Sequence, residues 1–142
     1  MKKRILGIDF GEVRTGLAVS DGLGLMAHGI GTVKTNGFKN LISIIKEKIA
    51  EYDINLIVLG YPINMNGTYG EKTKNISLLA ERIRTELDIA VELFDERLST
   101  VSAHQILNES DIKSKKRKSV IDTLSAEIIL QNYLDSNINN DI

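Results

Sequence analysis

The N-terminal segment reads Ile5-Leu6-Gly7-Ile8-Asp9-Phe10-Gly11, and after a short turn the chain continues as Thr15-Gly16-Leu17-Ala18-Val19-Ser20-Asp21. The first run predicts a buried strand that ends on a carboxylate, and the second predicts a strand that returns beside it. A carboxylate at the end of a buried strand is costly unless a cation or hydrogen-bond donors meet it. Glycines on either side of Asp9 allow backbone, metal or phosphate to approach closely. Asp9 is therefore the first candidate for a functional residue.

The rest of the chain carries alternating strand and helix patterns. Strands are predicted near residues 4–9, 15–20, 27–34, 54–60 and 90–95. Helices are predicted after Asn36, around residues 76–87, and near 100–109 and 119–135. This order predicts an α/β fold in which three antiparallel strands and two parallel ones form a mixed five-stranded sheet, with helices on both faces. We expect one domain over residues 1–136 and a polar C-terminal tail over 137–142 that frays.

Composition excludes several classes of protein. The chain has 142 residues, a formal net charge of −1 and no cysteine, which excludes disulfides and thiolate metal sites and fits a reducing compartment. Asp9 interrupts the first apolar run too early for a signal peptide. No segment approaches the roughly 20 apolar residues of a transmembrane helix. The expectation is a cytoplasmic protein with no membrane partner.

Two further acids follow predicted elements. Glu96 stands just past the last strand, and Asp122 lies in the predicted first turn of the last helix. Strand alternation sends Asp95 and Glu96 to opposite sides, so one of them is expected to point into a site. Asp122 has an alternative explanation, because an acid near a helix N-terminus stabilises the helix. If Asp9, Glu96 and Asp122 converge, they form a Mg²⁺ or Mn²⁺ site of the phosphoryl-transfer kind.

Candidate substrate-binding residues stand near these acids in the sequence. Arg14 and Thr15 lie across the turn from Asp9 and are suited to hold either that carboxylate or a substrate phosphate. Arg97 follows Glu96, although a surface ion pair explains it as well. The loop after the fourth strand either grips sugar or phosphate or simply connects elements, and a basic run before the last helix either guides nucleic acid or is a solvated loop. Their candidate residues are Asn64, Asn66, Gly67 and Thr68 in the loop, and Lys113, Lys115, Lys116, Arg117 and Lys118 in the run.

Four stretches of the chain resemble the YqgF family, described as Holliday junction resolvases and as nucleases that process pre-16S ribosomal RNA. They are GIDFGEVRTGLAVSD, VLGYPINMNGTYGEKT, FDERLST and KSKKRKSVIDTLSAEIILQNYLD, and they follow the family's order over nearly the whole chain. The resemblance implies a ribonuclease-H-like fold with strand order 3-2-1-4-5 and strand 2 antiparallel. It also implies a metal-dependent nuclease centre, onto which Asp9, Glu96 and Asp122 map as the acidic triad.

The chain departs from many proteins of this fold in one respect. In those proteins the second acid comes from the fourth strand, which lies next to the first. Here the fourth strand ends Leu59-Gly60-Tyr61-Pro62 without an acid. Glu96 would instead come from the fifth strand, two places from Asp9 and about 10 Å away laterally.

The predicted function is hydrolysis of phosphodiester bonds in structured nucleic acid, at the 5′ end of pre-16S ribosomal RNA. The nearest alternative is cleavage of a four-way DNA junction, which needs paired active sites and therefore a dimer; we expect a monomer or weak homodimer. A second alternative is an ATP-binding domain, because Gly7-Ile8-Asp9-Phe10-Gly11 also resembles the first phosphate motif of sugar kinases and Hsp70-type ATPases. A third is a non-catalytic RNA-binding factor, since acids provide capacity for metal without ensuring turnover.

Overall fold

The structure, a computed structural model, describes residues 4–61, 71–95 and 114–140. Five strands form one sheet: β1 Arg4–Asp9, β2 Arg14–Ser20, β3 Ala27–Lys34, β4 Ile54–Tyr61 and β5 Ala90–Asp95. The helices of the described residues are α1 Gly37–Tyr52, α2 Glu71–Leu87 and α3 Ser114–Asn140. Strand order is β3-β2-β1-β4-β5, with β2 antiparallel to both neighbours and β1, β4 and β5 parallel. The predicted fold is confirmed, and the helix predicted near 100–109 lies outside the described residues.

Side-chain alternation along β1 explains how the sheet carries helices on both faces. Leu6 and Ile8 are fully buried in the core that α1 and α2 complete, whereas Ile5 packs in the core beneath α3. Complete burial of one such side chain stabilises the fold by about 1.5–3 kcal/mol. Both faces of β1 are therefore covered by apolar layers.

Helix α3 packs directly against the backbone of the sheet because glycines lie beneath it. A Cβ added to Gly7 would lie 2.8 Å from Leu130 Cβ, and one added to Gly16 would lie 1.9 Å from the carbonyl oxygen of Asp122. Real Cβ atoms do not approach other atoms that closely. These two glycines thus determine the depth at which α3 packs.

The prediction for this last helix was wrong at both ends. Helix α3 begins at Ser114 and ends at Asn140, so residues 115–118 belong to the helix and residues 137–140 are not a frayed tail. Asp122 lies inside the helix and caps nothing. The reason is that no glycine or proline interrupts residues 114–140, and Lys and Arg are good helix formers.

No helix in the described parts of the chain is long and apolar enough to cross a membrane.

Three α3 side chains, spaced four residues apart, bond to the edge strand β3. They are Thr123, 2.6 Å from Thr32 through the two hydroxyls; Glu127, whose Oε2 accepts from Gly29 N at 3.0 Å; and Gln131, whose Oε1 accepts from Ala27 N at 2.9 Å. Residues at this spacing share one face of a helix. These three side chains hold α3 along the length of β3. Asp122 immediately precedes Thr123, the first of the three.

The turn between β2 and β3 contains one carboxyl group with a shifted pKa. The backbone N–H of Leu25 donates to Asp21 Oδ1 at 2.9 Å and holds the pKa of that carboxyl below its usual range. A pKa that is lower in the folded chain gives stability that is present above the unfolded pKa and lost as pH falls through the folded pKa. We therefore expect the wild type to lose more stability than Asp21→Asn between neutral pH and about pH 3. Urea denaturation at both pH values measures this, and equal losses in the two proteins would contradict it.

Candidate active site

Asp9 is the last residue of β1 and lies on the sheet face that α3 covers. It belongs to the alternating set Ile5, Gly7 and Asp9, of which Ile5 packs beneath α3 and Gly7 lies against Leu130. Its cross-strand partner on β2 is Gly16. Asp9 is half-buried, so its carboxylate stands at the margin of the α3 core.

The structure brings Asp122 to the same place. Its carbonyl oxygen lies directly over Gly16, the residue paired with Asp9. The helical turn that carries Asp122 is therefore seated beside the end of β1. Two of the three predicted carboxylates thus share one face and one end of the sheet, although they are 113 positions apart in the sequence (122 − 9).

Arg14 pairs with the second of these acids. Its Nε donates to Asp122 Oδ2 at 3.0 Å, and the two side chains are 36% and 25% exposed. A pair this accessible contributes at most about 1 kcal/mol to stability, so its main effect is to orient the carboxylate. A guanidinium carries five N–H donors, which suits Arg14 to hold a phosphate as well.

Thr15 is placed differently from the sequence prediction. Its side chain is fully buried, and its hydroxyl lies 2.7 Å from the hydroxyl of Thr35, which donates to the carbonyl oxygen of Gly11 at 2.7 Å. These bonds fasten the turn between β1 and β2. Thr15 therefore positions the neighbours of Asp9 and presents no hydroxyl to a ligand in solution, and we leave it out of the proposed substrate-binding set.

Several predicted site residues lie outside the described residues: Glu96, Arg97, Asn64, Asn66, Gly67, Thr68 and Lys113. Within the described residues, no group of three His, Cys, Asp or Glu side chains is arranged to hold a metal ion. The end of β5 is described, and β5 is separated from β1 by β4, as predicted. At the level of Asp9, β4 carries Gly60, which pairs with Phe94 of β5.

Positions 115–118 of the basic run lie at the same end of the sheet. Leu130 lies over Gly7 and Asp122 over Gly16, so α3 runs antiparallel to β1. At 1.5 Å per residue, positions 115–118 extend roughly 6–10 Å beyond Asp122, past the end of β1. Helix α3 therefore extends past the candidate acids, and the positions in this extension are those of Lys115, Lys116, Arg117 and Lys118.

Sequence reasoning missed the pairing of Arg14 with Asp122 and the part played by Gly16. Arg14 was expected to hold Asp9 or a phosphate, and nothing in the spacing of residues 108 apart indicates a contact with Asp122. A glycine inside a strand does indicate close backbone approach. That signal identifies Gly16 as a contact point without telling which element approaches it.

A mixed five-stranded sheet in this order, with helices on both faces, is a ribonuclease-H-like fold. Two solved structures, each 15% identical to this chain, share the fold. Fowlpox virus resolvase in complex with Holliday junction DNA has a TM-score of 0.61 over 95% of this chain and 99% of that one. T. thermophilus RuvC in complex with a Holliday junction substrate has a TM-score of 0.59 over 96% of each chain. The chain belongs to the RuvX family, whose description is Holliday junction resolvase and whose model matches residues 3–136. The family resemblance drawn from the sequence is thereby confirmed, and membership places the protein among the nucleases, which are hydrolases.

Curated relatives match over nearly their full length. A protein of Clostridioides difficile (strain 630) is 48% identical over 136 residues, which are 96% of this chain and 96% of that protein. A protein of Ruminiclostridium cellulolyticum is 45% identical over 133 residues, covering 93% of this chain and 94% of that protein. Both carry the name "Putative pre-16S rRNA nuclease".

Proposed function

We propose that this protein is a metal-dependent nuclease that processes the 5′ end of pre-16S ribosomal RNA. The observation that carries the proposal is that Asp9 and Asp122 lie on one face and at one end of the sheet, because α3 contacts Gly16, the residue paired with Asp9. The names of the curated relatives support precursor ribosomal RNA as the substrate.

Asp9, Asp122 and Glu96 are the residues we assign to bind Mg²⁺ or Mn²⁺. The donor set fits such a cation, because hard divalent ions prefer carboxylate oxygens and none of the three candidates supplies nitrogen or sulfur. A bound metal would activate water and stabilise the leaving oxygen. Within the described residues, Arg14 donates a hydrogen bond to one oxygen of Asp122 and so orients this carboxylate before a cation binds.

The side-chain alternation of β5 supports Glu96 over Asp95 as the third acid. Val91 packs in the core under α1 and α2, and Phe94 packs under α3 against the ring of Tyr133 at 5.9 Å. Asp95 has the parity of Val91 and so belongs to the face opposite Asp9, and we therefore assign Glu96, the neighbouring acid in the sequence, as the third ligand. Gly60 of β4, which lies between β1 and β5 at the level of Asp9, adds no side chain there.

The nucleic-acid backbone would be positioned by residues around these acids. Arg14 is described and half-buried beside Asp122, while Arg97 and the loop residues Asn64, Asn66, Gly67 and Thr68 are assigned from sequence alone. The basic run from Lys113 to Lys118 would attract phosphates towards the acidic centre from the N-terminal end of α3.

Cleavage of a four-way DNA junction is the second candidate function. The description of the matching family model as a Holliday junction resolvase favours it, and the same carboxylates would serve. Junction cleavage requires two active sites in one particle, whereas we propose a monomer or weak homodimer. A stable two-fold dimer in solution would therefore favour DNA over RNA.

Incubation of the purified protein with pre-16S RNA and with a four-way DNA junction, each with Mg²⁺, Mn²⁺ or a chelator, tests the proposal. We expect metal-dependent cleavage of the RNA and an increase in the thermal midpoint with metal, because only the folded chain assembles the ligands. The thermal shift should shrink in Glu96→Gln and persist in the matched variant Asp95→Asn.

Each other outcome would change the conclusion. Cleavage of the junction alone would establish the second candidate. RNA binding without cleavage in any metal would indicate a non-catalytic RNA-binding factor, and saturable ATP binding would support the ATP-binding alternative. A thermal shift lost in Asp95→Asn and kept in Glu96→Gln would reverse the assignment of the third acid.

A further inference from the structure

A pair of cations faces the same side of the sheet as the candidate acids. Arg14 of β2 and Lys34 of β3 are direct cross-strand partners, and residues opposite each other in an antiparallel pair point to the same face. Arg14 contacts Asp122 on α3, so this is the face that carries the two acids. Lys34 is exposed and forms no ion pair with another described residue.

A surface depression of about 250 Å³ connects these two residues. It is lined by Val13, Arg14, Thr32, Val33 and Lys34. A backbone hydrogen bond of 2.9 Å from Thr35 N to the carbonyl oxygen of Val13 ties the strand ends together there. Val13 is 62% exposed and adds apolar surface beside the two cations. The depression thus offers positive charge and apolar surface, and one of its lining residues, Arg14, bonds to Asp122.

The chemistry of this depression fits one nucleotide unit. Two cations on neighbouring strands can both bind the negative charge of one phosphodiester. An apolar side chain beside them suits the sugar next to that phosphodiester. Lys34 matters more than its neighbour for net attraction, because Asp122 already offsets part of the charge of Arg14.

We propose that Arg14 and Lys34 form a subsite for a phosphodiester of the substrate strand, adjacent to the one that is cleaved. The strand would then run from the acids across the ends of β2 and β3, towards the β3 edge of the sheet. This assignment rests on the proposed nuclease function, and it makes Lys34 a substrate-binding residue that the sequence motifs do not include.

Binding of a single-stranded pre-16S leader fragment at several salt concentrations tests the subsite. The background is Asp9→Asn, which prevents cleavage, and the added substitutions are Lys34→Ala, Lys34→Arg and Lys46→Ala. Lys46 is the matched control, because it is also exposed but lies on α1 at the opposite face. We expect Lys34→Ala to weaken binding several-fold and to reduce the magnitude of the log-affinity against log-salt slope by about 0.7, the share of one phosphate on a single strand. Lys34→Arg should retain both values, and Lys46→Ala should change neither.

Further measurements separate this subsite from the nuclease activity and from a site for free anions. In the wild-type background, Lys34→Ala should raise KM and leave the metal-induced thermal shift unchanged, since it does not touch the metal ligands. Inorganic phosphate should compete weakly with the leader fragment and equally in Lys34→Ala and Lys46→Ala.

A salt slope in Lys34→Ala equal to that of the control would overturn the subsite, even if the enzyme cleaves RNA. Tight phosphate binding that Lys34→Ala abolishes would overturn the assignment to a substrate strand. Absence of cleavage in the wild type would overturn the nuclease proposal, while the binding data still decide on Lys34.

Discussion

Replacement of Asp9 by asparagine is expected to reduce phosphodiester cleavage on the order of 10⁴-fold, the loss seen when one member of a cooperating catalytic set is removed. The amide keeps the shape of the side chain at the end of β1 but withdraws the negative charge from the proposed metal site. Binding of the RNA should survive, because its contacts are assigned to cations around the acids. Single-turnover rates with enzyme in excess over substrate measure the chemical step directly.

Asp122→Asn should have the same effect on cleavage with little effect on folding. An asparagine oxygen can still accept the hydrogen bond from Arg14 Nε, so the local contact is retained while the charge is lost. The double variant Asp9→Asn with Asp122→Asn should be about as inactive as either single variant, because ligands of one metal site act as a unit. Asp95→Asn is the matched control. Cleavage within tenfold of wild type in either single variant would refute the assignment of that acid.

Substitution of Gly16 by alanine is expected to destabilise the fold strongly. The added Cβ would meet the backbone carbonyl of Asp122 at 1.9 Å, and a helix backbone cannot step aside as a flexible side chain can. Forcing α3 away from the sheet should cost about 3 kcal/mol or more. It should also reduce cleavage, because the displaced turn carries Asp122.

Gly7→Ala provides the comparison for this prediction. Its Cβ would contact the same helix, but at 2.8 Å and against the Cβ of Leu130. We therefore expect Gly7→Ala to destabilise the fold less than Gly16→Ala and to reduce cleavage less. Urea denaturation of both variants measures the difference. Equal stability of Gly16→Ala and wild type would show that α3 packs less closely than the structure has it.

Much of the sheet could be predicted from sequence because strands such as β1 and β4 are short, largely apolar runs bounded by turn residues. Ile54 to Gly60, for example, has the nearly continuous apolar character of a parallel strand covered on both faces, and the structure has β4 there. The start of α3 could not be predicted in the same way, because the apolar pattern begins only at Val120 while the helix begins at Ser114. Residues 114–119 are polar and have no periodicity, so only their helix propensity indicates their conformation.

In the candidate site too, residues with a local sequence signal could be predicted, whereas contacts that depend on tertiary packing could not. Asp9 was identifiable because a carboxylate that ends a buried strand beside glycines is unusual for a purely structural residue. The contact of Arg14 with Asp122 depends on how deeply α3 packs over Gly16, which is a tertiary property with no local signal. The roles of Asp9, Asp122, Glu96 and the loop residues in binding metal or substrate all remain predictions.

The side chains of Glu127 and Gln131 also limit how two copies of this protein can associate. The N–H groups of Ala27 and Gly29 are already bonded to them, so a strand from a second molecule would have to displace both before it could extend the sheet beyond β3. A continuous intermolecular sheet through this edge is therefore disfavoured. If two active sites are to meet on a four-way junction, they must be brought together by another surface of the molecule.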